Sequence, residues 1–269
     1  MMKSLSKNAG LILILSLVLV LVIGGAYFIM RVLFIPSAPN GPNIQKIVNA
    51  KKIIIGTDAV YPPMEFIDDE GKIVGLGIDI GYAIAKKLGV EAEIRSIAWD
   101  QIFEAVDSGE VDIAISSVTI THERLTKYAF SNPYFASGQV IVVANNSSIS
   151  KPSDLSGKKV TAYMDTTSYM EAVKYVGDSS LVYAYEAEVD ESVERLLKGE
   201  IEAIVIDYPP GADITKTYPG TKLVGSPFTT EFYGVVTRKG NDDLVKLVNA
   251  VIAELKRSGE LKRIENKWL

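Results

Sequence analysis

Short apolar segments alternate with helical segments along most of this chain, from Lys51 onwards. Lys52–Thr57 is almost continuously apolar, which is typical of a strand buried on both faces of a sheet. Asp79–Leu88 has helical periodicity and is followed by Gly89, a residue that commonly ends helices. Because alternating strands and helices form crossovers between parallel strands, the pattern predicts an α/β fold.

Further elements continue this alternation. We expect strands at Glu91–Ile97 and Val111–Val118, with a helix at Asp100–Ser108 between them. Two blocks of sequence then recur in similar form: KKIIIGTD at 51–58 resembles KKVTAYMD at 158–165, and GEVDIAISS at 109–117 resembles GEIEAIVID at 199–207. The recurrence predicts two α/β lobes of similar construction.

The chain is expected to pass between the two lobes twice. Gln139–Ala144 would cross from the first lobe to the second, and Glu231–Thr237 would cross back. Lobe 1 would therefore comprise residues 48–138 and 229–269, and lobe 2 residues 139–228. Two crossings make a hinge that can close over a ligand.

The first residues have a different character from the rest. Leu11–Met30 is apolar and long enough for a helix to cross the roughly 30 Å hydrocarbon core of a bilayer. Lys3 and Lys7 precede it, and positive residues tend to stay on the cytoplasmic side. The pattern predicts a cytoplasmic segment at 1–10 and a transmembrane anchor at 11–34, with the ligand-binding body outside the cytoplasm.

This segment has two alternatives to an anchor, a cleaved signal peptide and a buried core helix. Gly24-Gly25-Ala26 weakly resembles a signal-peptide cleavage site, and cleavage would make the body periplasmic or secreted. A buried core helix would not explain the basic flanks. Residues 35–47 contain several prolines and are predicted to be a linker.

Composition excludes several classes of function. The chain has no cysteine and one histidine, His122, so thiol chemistry and multi-histidine metal sites are excluded. The net charge is −5 and no acid lies in residues 1–50. An acidic body without a basic stripe argues against nucleic acid as a partner. We predict no cofactor, no metal and no catalytic residue.

Ligands of open α/β sheets bind beyond the carboxyl ends of the strands. Polar residues stand at these ends in both halves of the chain: Asp58, Ser116 and Ser117 in the first, and Asp165 and Asp207 in the second. A cleft between the lobes would bring them together.

Arg124 is the candidate anion-binding residue. It follows Thr121, a good N-cap, and so lies in the first turn of a helix, where a cation is unfavourable unless an anion is also present. A guanidinium presents two parallel donors that match a carboxylate. The alternative is a surface arginine paired with Glu123 or Asp100.

Asp207 is the candidate ammonium acceptor. It ends an apolar strand and has no lysine or arginine nearby in sequence. The alternative is a helix N-cap, because Tyr208-Pro209-Pro210 follows and proline suits a first turn. Aromatic residues near the strand ends, Tyr61 and Trp99, are either core or ligand platforms, and Tyr61 is the more exposed candidate.

Three stretches of sequence carry a family resemblance: YPPMEFIDDEGKIVGLGIDIGYAIAKKLG at 61–89, VDIAISSVTITHERLTKYAFSNPYF at 111–135, and AIVIDYP at 203–209. They resemble the polar amino acid solute-binding proteins of ABC importers, which have the two-lobed type II periplasmic-binding-protein fold. The resemblance covers about residues 48–269. It implies binding of a free L-amino acid by a monomeric body that delivers it to the permease subunits of an ABC transporter.

The resemblance also implies individual roles. Arg124 would bind the ligand α-carboxylate, with Thr119 and the backbone at Thr166 and Thr167. Asp207 would hold the α-ammonium with the Ser117 carbonyl and the Thr119 hydroxyl. The full implied ligand-binding set is Asp58, Tyr61, Trp99, Ser116, Ser117, Thr119, Arg124, Tyr163, Thr166, Thr167 and Asp207.

The side-chain specificity is expected to favour a basic ligand. In relatives that bind glutamine or basic amino acids, an acid at the position of Asp58 faces the distal nitrogens. Glutamine-binding relatives tend to have lysine and histidine where this chain has Tyr163 and Ile206, and Asp165 adds negative charge. We therefore expect arginine or lysine, with glutamine next.

Two other functions are compatible with this scaffold, an enzyme and a sensing receptor. A dehydratase on the same scaffold would need a proton donor, for which Glu186 and Asp165 are candidates. A sensing receptor would need a cytoplasmic output domain, and residues 1–10 are too few for one. Transport is the expected function.

Overall fold

The computed structural model describes residues 40–185 and 189–269. The predicted anchor at 11–34 and the candidate proton donor Glu186 lie outside these residues. Within the described part of the chain, none of the helices combines the length and apolar character needed to cross a membrane. The described residues form two five-stranded sheets, two smaller sheets of three and two strands, and the helices that pack around them.

The helices and strands follow one another with short connections. In the first half of the chain they are α1 (Pro42–Ala50), β1 (Lys52–Thr57), β2 (Val60–Tyr61), β3 (Glu65–Ile67), β4 (Ile73–Val74), α2 (Leu76–Leu88), β5 (Glu91–Ser96), α3 (Trp99–Ser108), β6 (Ile113–Ala114), α4 (His122–Lys127), β7 (Tyr128–Phe130), β8 (Phe135–Ser137) and β9 (Gln139–Ala144). In the second half they are β10 (Val160–Tyr163), α5 (Thr167–Val176), β11 (Val182–Tyr185), α6 (Val189–Leu197), β12 (Ala203–Asp207), α7 (Tyr208–Thr217), β13 (Thr221–Leu223), β14 (Glu231–Tyr233), β15 (Val236–Arg238), α8 (Asp242–Ser258) and α9 (Glu260–Trp268).

Lobe 1 is built on a five-stranded sheet in the order β5-β1-β6-β15-β7. β1 runs parallel to both neighbours, with Lys52 opposite Glu91 and Ile55 opposite Ile113, and β15 is antiparallel to β6. Ile53 and Ile55 are completely buried and belong to a core to which α2 and α8 contribute. β1 is a central strand, which explains its apolar sequence.

Lobe 2 repeats this arrangement in the order β11-β10-β12-β9-β13. β10 is parallel to β11 and β12, and β9 is antiparallel to β12. The two blocks that recur in sequence therefore form equivalent strands, since β1 corresponds to β10 and β6 to β12. The predicted two-lobed α/β fold is confirmed.

The lobes are joined at a pair of antiparallel strands, β8 and β14, in which Ser137 lies opposite Glu231. Just after β8 the chain passes so close to the second connection that a Cβ at Gly138 would lie 2.1 Å from the Thr229 carbonyl oxygen. Only glycine fits this approach. The two crossings are therefore packed side by side and act as one hinge.

Part of the expected linker is helical. Residues 42–47 belong to α1, with Pro42 in the first turn and with Ile44 and Ile47 buried in the lobe 1 core. The Asp243 carboxylate of α8 accepts hydrogen bonds from the backbone N–H groups of Asn43 (2.9 Å) and Ile44 (3.2 Å). An acid from the other end of the chain thus caps this helix, which local sequence could not show.

Two predicted strands are shorter than expected. Within Val111–Val118 only Ile113–Ala114 form strand β6, because the chain leaves the sheet and Ser117 takes the left-handed conformation at φ +46°. Glu231–Thr237 is two strands separated at Gly234, where a Cβ would lie 2.9 Å from the Ile120 side chain. Ser117 lies beside the cleft, whereas Gly234 packs closely against the Ile120 and Phe130 side chains of lobe 1.

Candidate ligand-binding site

All eleven predicted ligand-binding residues line one cavity between the lobes, and one further residue, Glu65, joins them. The structure gives this cavity a volume of about 30 Å³, which leaves room for a few water molecules at most. The lobes are therefore closed in this structure. Entry of an amino acid requires them to separate.

The lobe 1 wall begins at the end of β1. The backbone N–H of Asp58 donates a 2.9 Å hydrogen bond to the Ser116 hydroxyl, which ties the ends of β1 and β6 together. Tyr61 stands opposite Glu65 in the hairpin of β2 and β3, so the two side chains share a face. Both of these side chains reach the cavity.

Arg124 lies in the first turn of α4, as the sequence predicts, and Thr121 caps that turn by accepting from the Arg124 backbone N–H at 3.1 Å. The guanidinium donates to the backbone carbonyls of Thr119 (3.0 Å) and Asp165 (3.4 Å). It lies 5.3 Å from the ring centroids of both Trp99 and Phe103. The alternative, an ion pair with Glu123 or Asp100, is not what the structure shows.

The charge of Arg124 is only partly compensated. Burial lowers the pKa of Arg124 from its ordinary value, while Asp207 and Glu231 oppose that shift. An arginine still carries its charge under these conditions. Since its direct partners are carbonyls and aromatic rings, the guanidinium retains the capacity to bind a carboxylate.

Asp207 lies at the start of α7 but does not cap that helix with its side chain. Its carboxylate instead accepts from the Tyr61 hydroxyl at 2.7 Å and from the Gln139 side-chain amide at 2.8 Å. Burial, together with the nearby Glu231 carboxylate, raises the pKa of Asp207 to about 7. The buried acid has no direct cationic partner in the described residues, which is the condition for receiving an ammonium group.

Asp58 forms a second contact across the cleft. The Tyr163 hydroxyl of lobe 2 donates a 2.7 Å hydrogen bond to the Asp58 carboxylate. Burial raises the pKa of Asp58 from its ordinary value; the Tyr163 bond opposes the rise and Asp100 adds to it. Among the described residues, Arg124 is the only lysine or arginine that lines the cavity. The region around Asp58 therefore carries negative charge without a cation to compensate it.

Trp99 and Asp165 close the side of the cavity near Arg124. The Trp99 indole N–H donates to the Asp165 carbonyl at 3.3 Å, and its ring lies 6.5 Å from that of Tyr163. Asp165 itself is exposed and has φ +58°, a backbone conformation that favours glycine. Its backbone, not its carboxylate, faces Trp99 and Arg124.

Thr166 and Thr167 stand at the start of α5. The Thr166 side chain caps this helix by accepting from the Tyr169 backbone N–H at 3.2 Å. The positive end of a helix favours an anion nearby. Together with Arg124, this edge of the cavity is suited to a carboxylate.

Sequence reasoning missed three polar residues of this region: Glu65, Gln139 and Glu231. Glu65 is completely buried, and neither carboxylate oxygen has a hydrogen-bond partner within the described chain. Burial raises the pKa of Glu65 well above its ordinary value, and the nearby Ser117 hydroxyl offsets only part of that rise. An acid inside the apolar segment PPMEF was the available signal.

Gln139 and Glu231 lie at the hinge. Both are buried, and the Gln139 amide donates to Glu231 at 3.0 Å as well as to Asp207. Each is the first residue of a strand, and the ends of strands are commonly polar. The local sequence therefore gives little indication that these side chains meet at the hinge. Only the meeting of the two crossings brings these side chains together behind the cavity wall.

Two similar lobes, a double crossing and a closed cavity between them define a two-lobed binding protein for a small ligand. The chain belongs to the bacterial extracellular solute-binding proteins, family 3, which it matches over residues 53–269. The family is extracellular, so the folded body belongs outside the cytoplasm.

Individual relatives agree with this assignment. The L-cystine-binding protein TcyJ of Escherichia coli (strain K12) is 35% identical over 228 residues, which are 84% of this chain and 85% of that protein. Holo ArgBP from T. maritima superposes with a TM-score of 0.75 at 33% identity, covering 82% of this chain and 98% of the other. An ancestral arginine-binding protein bound to arginine gives a TM-score of 0.77 at 38% identity, covering 81% and 98%. These relatives are named as amino acid-binding proteins and not as enzymes.

Proposed function

We propose that this protein is the substrate-binding component of an ABC importer for a basic L-amino acid, arginine or lysine. One observation carries the proposal. In the described residues, the cavity sets one guanidinium, Arg124, against several buried acids that have no cationic partner in direct contact. This distribution complements an α-carboxylate at one point and positive groups at others.

The α-carboxylate is assigned to Arg124 and the start of α5. The α-ammonium is assigned to Asp207 with the Ser117 carbonyl and the Thr119 hydroxyl, since Thr119 is buried and lines the cavity. Tyr61 and Trp99 would flank the ligand side chain. These roles are supported by the placement of all the named residues around one cavity.

The distal end of the ligand is assigned to Asp58. This buried carboxylate lies near Asp100 and accepts from Tyr163, which leaves the region negative. A guanidinium or ammonium pairs with such a carboxylate more strongly than a neutral amide does. Glutamine therefore ranks below arginine and lysine.

Cystine is the main competing ligand, because a relative named for cystine binding is 35% identical to this chain. Cystine carries a second ammonium and a second carboxylate at its far end, and only the ammonium could pair with Asp58. In the described cavity that carboxylate would meet Asp58 without a second lysine or arginine to compensate it. The negative distal region therefore favours a basic amino acid over cystine.

Calorimetric titration with arginine, lysine, histidine, glutamine and cystine tests this order. We expect the tightest binding for arginine or lysine. Tight binding of cystine with none of arginine would overturn the ligand assignment and leave amino acid binding intact. Mass spectrometry of ligand retained through native purification provides an independent answer.

We further propose that residues 11–34 anchor the body to the outer face of the cell membrane or direct its export. The support is the apolar sequence Leu11–Met30 with Lys3 and Lys7 before it. Delivery to membrane permease subunits would benefit from such tethering. An anchored protein stays in the membrane fraction after a salt wash and keeps its N-terminus, whereas cleavage would yield a soluble protein that begins near Tyr27.

A further inference from the structure

Glu231 is a buried acid of the hinge with an unusual set of partners. One carboxylate oxygen accepts from the Thr119 and Thr167 hydroxyls, both at 2.8 Å. The other accepts from the Gln139 amide at 3.0 Å and from the Thr229 hydroxyl at 3.1 Å. Four donors therefore converge on one carboxylate, and in the described residues no cation contacts it directly.

These partners come from both sides of the cleft. Thr119 follows β6 of lobe 1, Thr167 begins α5 of lobe 2, and Gln139 and Glu231 lie on the two crossings. The two threonines also line the ligand cavity, whereas Glu231 does not. Glu231 thus stands behind the cavity wall and touches the groups that a ligand would meet.

The direction of the hydroxyl hydrogens follows from this arrangement. A carboxylate only accepts hydrogen bonds, so Thr119 and Thr167 must each donate their single hydroxyl hydrogen to Glu231. Each of these two hydroxyl oxygens then has only lone pairs to present to the cavity. A ligand in the cavity therefore meets two acceptors here and no donor from these hydroxyls.

The same logic applies to Asp207. The Gln139 amide nitrogen donates to Asp207 at 2.8 Å and to Glu231 at 3.0 Å, and it also lies 3.3 Å from the Thr167 hydroxyl oxygen, which accepts in this longer contact. The two shorter bonds take the two amide hydrogens. Gln139 therefore holds the Asp207 carboxylate beside the two acceptors. Asp207, Thr119 and Thr167 together form a surface that accepts hydrogen bonds.

We propose that Glu231 is a positioning residue. It leaves the α-ammonium subsite with hydrogen-bond acceptors and no hydroxyl donor, and so selects α-amino acids over the corresponding 2-hydroxy acids. An ammonium group has three donors and no acceptor, which such a surface fits. This inference rests on the proposed function, because it names the chemical group that the same cavity selects. It adds a residue outside the predicted ligand-binding set.

The test is the Glu231→Gln variant, titrated with arginine and with 2-hydroxy-5-guanidinopentanoate, the analogue in which a hydroxyl replaces the ammonium. A glutamine amide can donate to Thr119 or Thr167, which frees a hydroxyl hydrogen to point at the ligand. We expect arginine affinity to fall at least tenfold and analogue affinity to change less than threefold. The preference for arginine over the analogue is the readout, because a general loss of structure would weaken both ligands.

Glu123→Gln is the matched control. It removes one negative charge near the same cleft, but its side chain is 74% exposed and pairs with Lys127. We expect it to leave the arginine preference within twofold of the parent. If Glu123→Gln lowers the preference for arginine over the analogue as much as Glu231→Gln does, net charge alone is responsible and the inference is overturned.

Thr167→Val supplies a second route if Glu231→Gln does not fold, as judged by its thermal unfolding transition. It removes one of the two oriented hydroxyls and keeps the side-chain shape, so the arginine preference should fall at least threefold. An unchanged preference in Thr167→Val or in folded Glu231→Gln overturns the inference while leaving the proposed function intact. A parent protein that binds no free amino acid overturns both.

Discussion

The Tyr163 hydroxyl of lobe 2 donates a 2.7 Å hydrogen bond to the Asp58 carboxylate of lobe 1. The reverse contact also exists, since Tyr61 of lobe 1 donates at 2.7 Å to Asp207 of lobe 2. Each lobe therefore offers an acid to a tyrosine of the other. These bonds span the cleft and contribute to the closed arrangement of the lobes.

Asp58→Asn should change ligand preference. The variant keeps the shape of the side chain and an acceptor for Tyr163 but removes the negative charge. If the natural ligand is cationic, its binding should weaken by roughly 1–3 kcal/mol, while glutamine changes by less. Calorimetry with arginine and glutamine measures the difference.

Asp100→Asn is the control for this change, because Asp100 is exposed and influences Asp58 only through its charge. Exposed charges are screened, so its effect on arginine should stay below about threefold. Equal losses for arginine and glutamine in Asp58→Asn would mean that Asp58 only shapes its loop.

Arg124→Ala should weaken amino acid binding by at least about 2 kcal/mol, roughly thirtyfold. The ligand carboxylate would then lie near Asp207 without a counter-charge. The fold should survive, since Arg124 is only half-buried at the cavity edge, and the Trp99 and Phe103 rings beside it keep their own core contacts. Arg95→Ala removes an arginine that pairs with Glu93 away from the cavity and should bind like the parent. Unchanged affinity in Arg124→Ala would contradict the site.

Amino acid affinity should fall with pH below about 7. The pKa of Asp207 is raised to about 7, so this acid gains a proton as the pH drops through that value. Only the ionised form pairs with an ammonium group, and the proton must leave on binding. The expected loss approaches tenfold per pH unit between pH 7 and 5.

Titrations at several pH values, with circular dichroism to confirm folding, measure this slope. Asp58→Asn should retain it, because that variant leaves Asp207 in place. Asp207→Asn should bind weakly and show no slope. A flat profile in the parent protein would contradict the assignment of the ammonium to Asp207.

Glu65→Gln should stabilise the protein, increasingly so at higher pH. Burial raises the pKa of Glu65 well above its ordinary value of 4.5, so the folded state binds this proton more tightly than the unfolded state does. The parent therefore loses stability as the pH rises from about 4.5 towards the folded-state pKa. The amide has no such dependence.

Denaturant unfolding at pH 5 and pH 8 should show a gain in unfolding free energy for Glu65→Gln of at least about 1 kcal/mol at the higher pH. The gain should be smaller at pH 5. An equal gain at both values would point to packing and not to the buried charge.

Much of the fold followed from the sequence alone. The strands at β1 and β10 and the helices α2 and α4 depend on apolar periodicity and on local signals such as Gly89 and Thr121, which act within a few residues. The position of Arg124 in a first helical turn is local in the same sense. Because strand ends in α/β sheets gather on one edge, the residues at those ends also predicted the cavity lining.

Tertiary structure alone decided the remainder. α1 forms where a linker was expected because Asp243, 200 positions away, caps it and because its isoleucines find a core. The apolar segment around Glu65 indicates a buried acid but not its role, and Glu231 has no local motif. Both roles arise when a hairpin and two hinge crossings meet behind the cleft. The apolar periodicity that predicts a strand or a helix is a property of neighbouring residues, so the sequence shows it directly. The desolvation and the hydrogen-bond partners of a buried carboxylate depend on which distant segments fold against it.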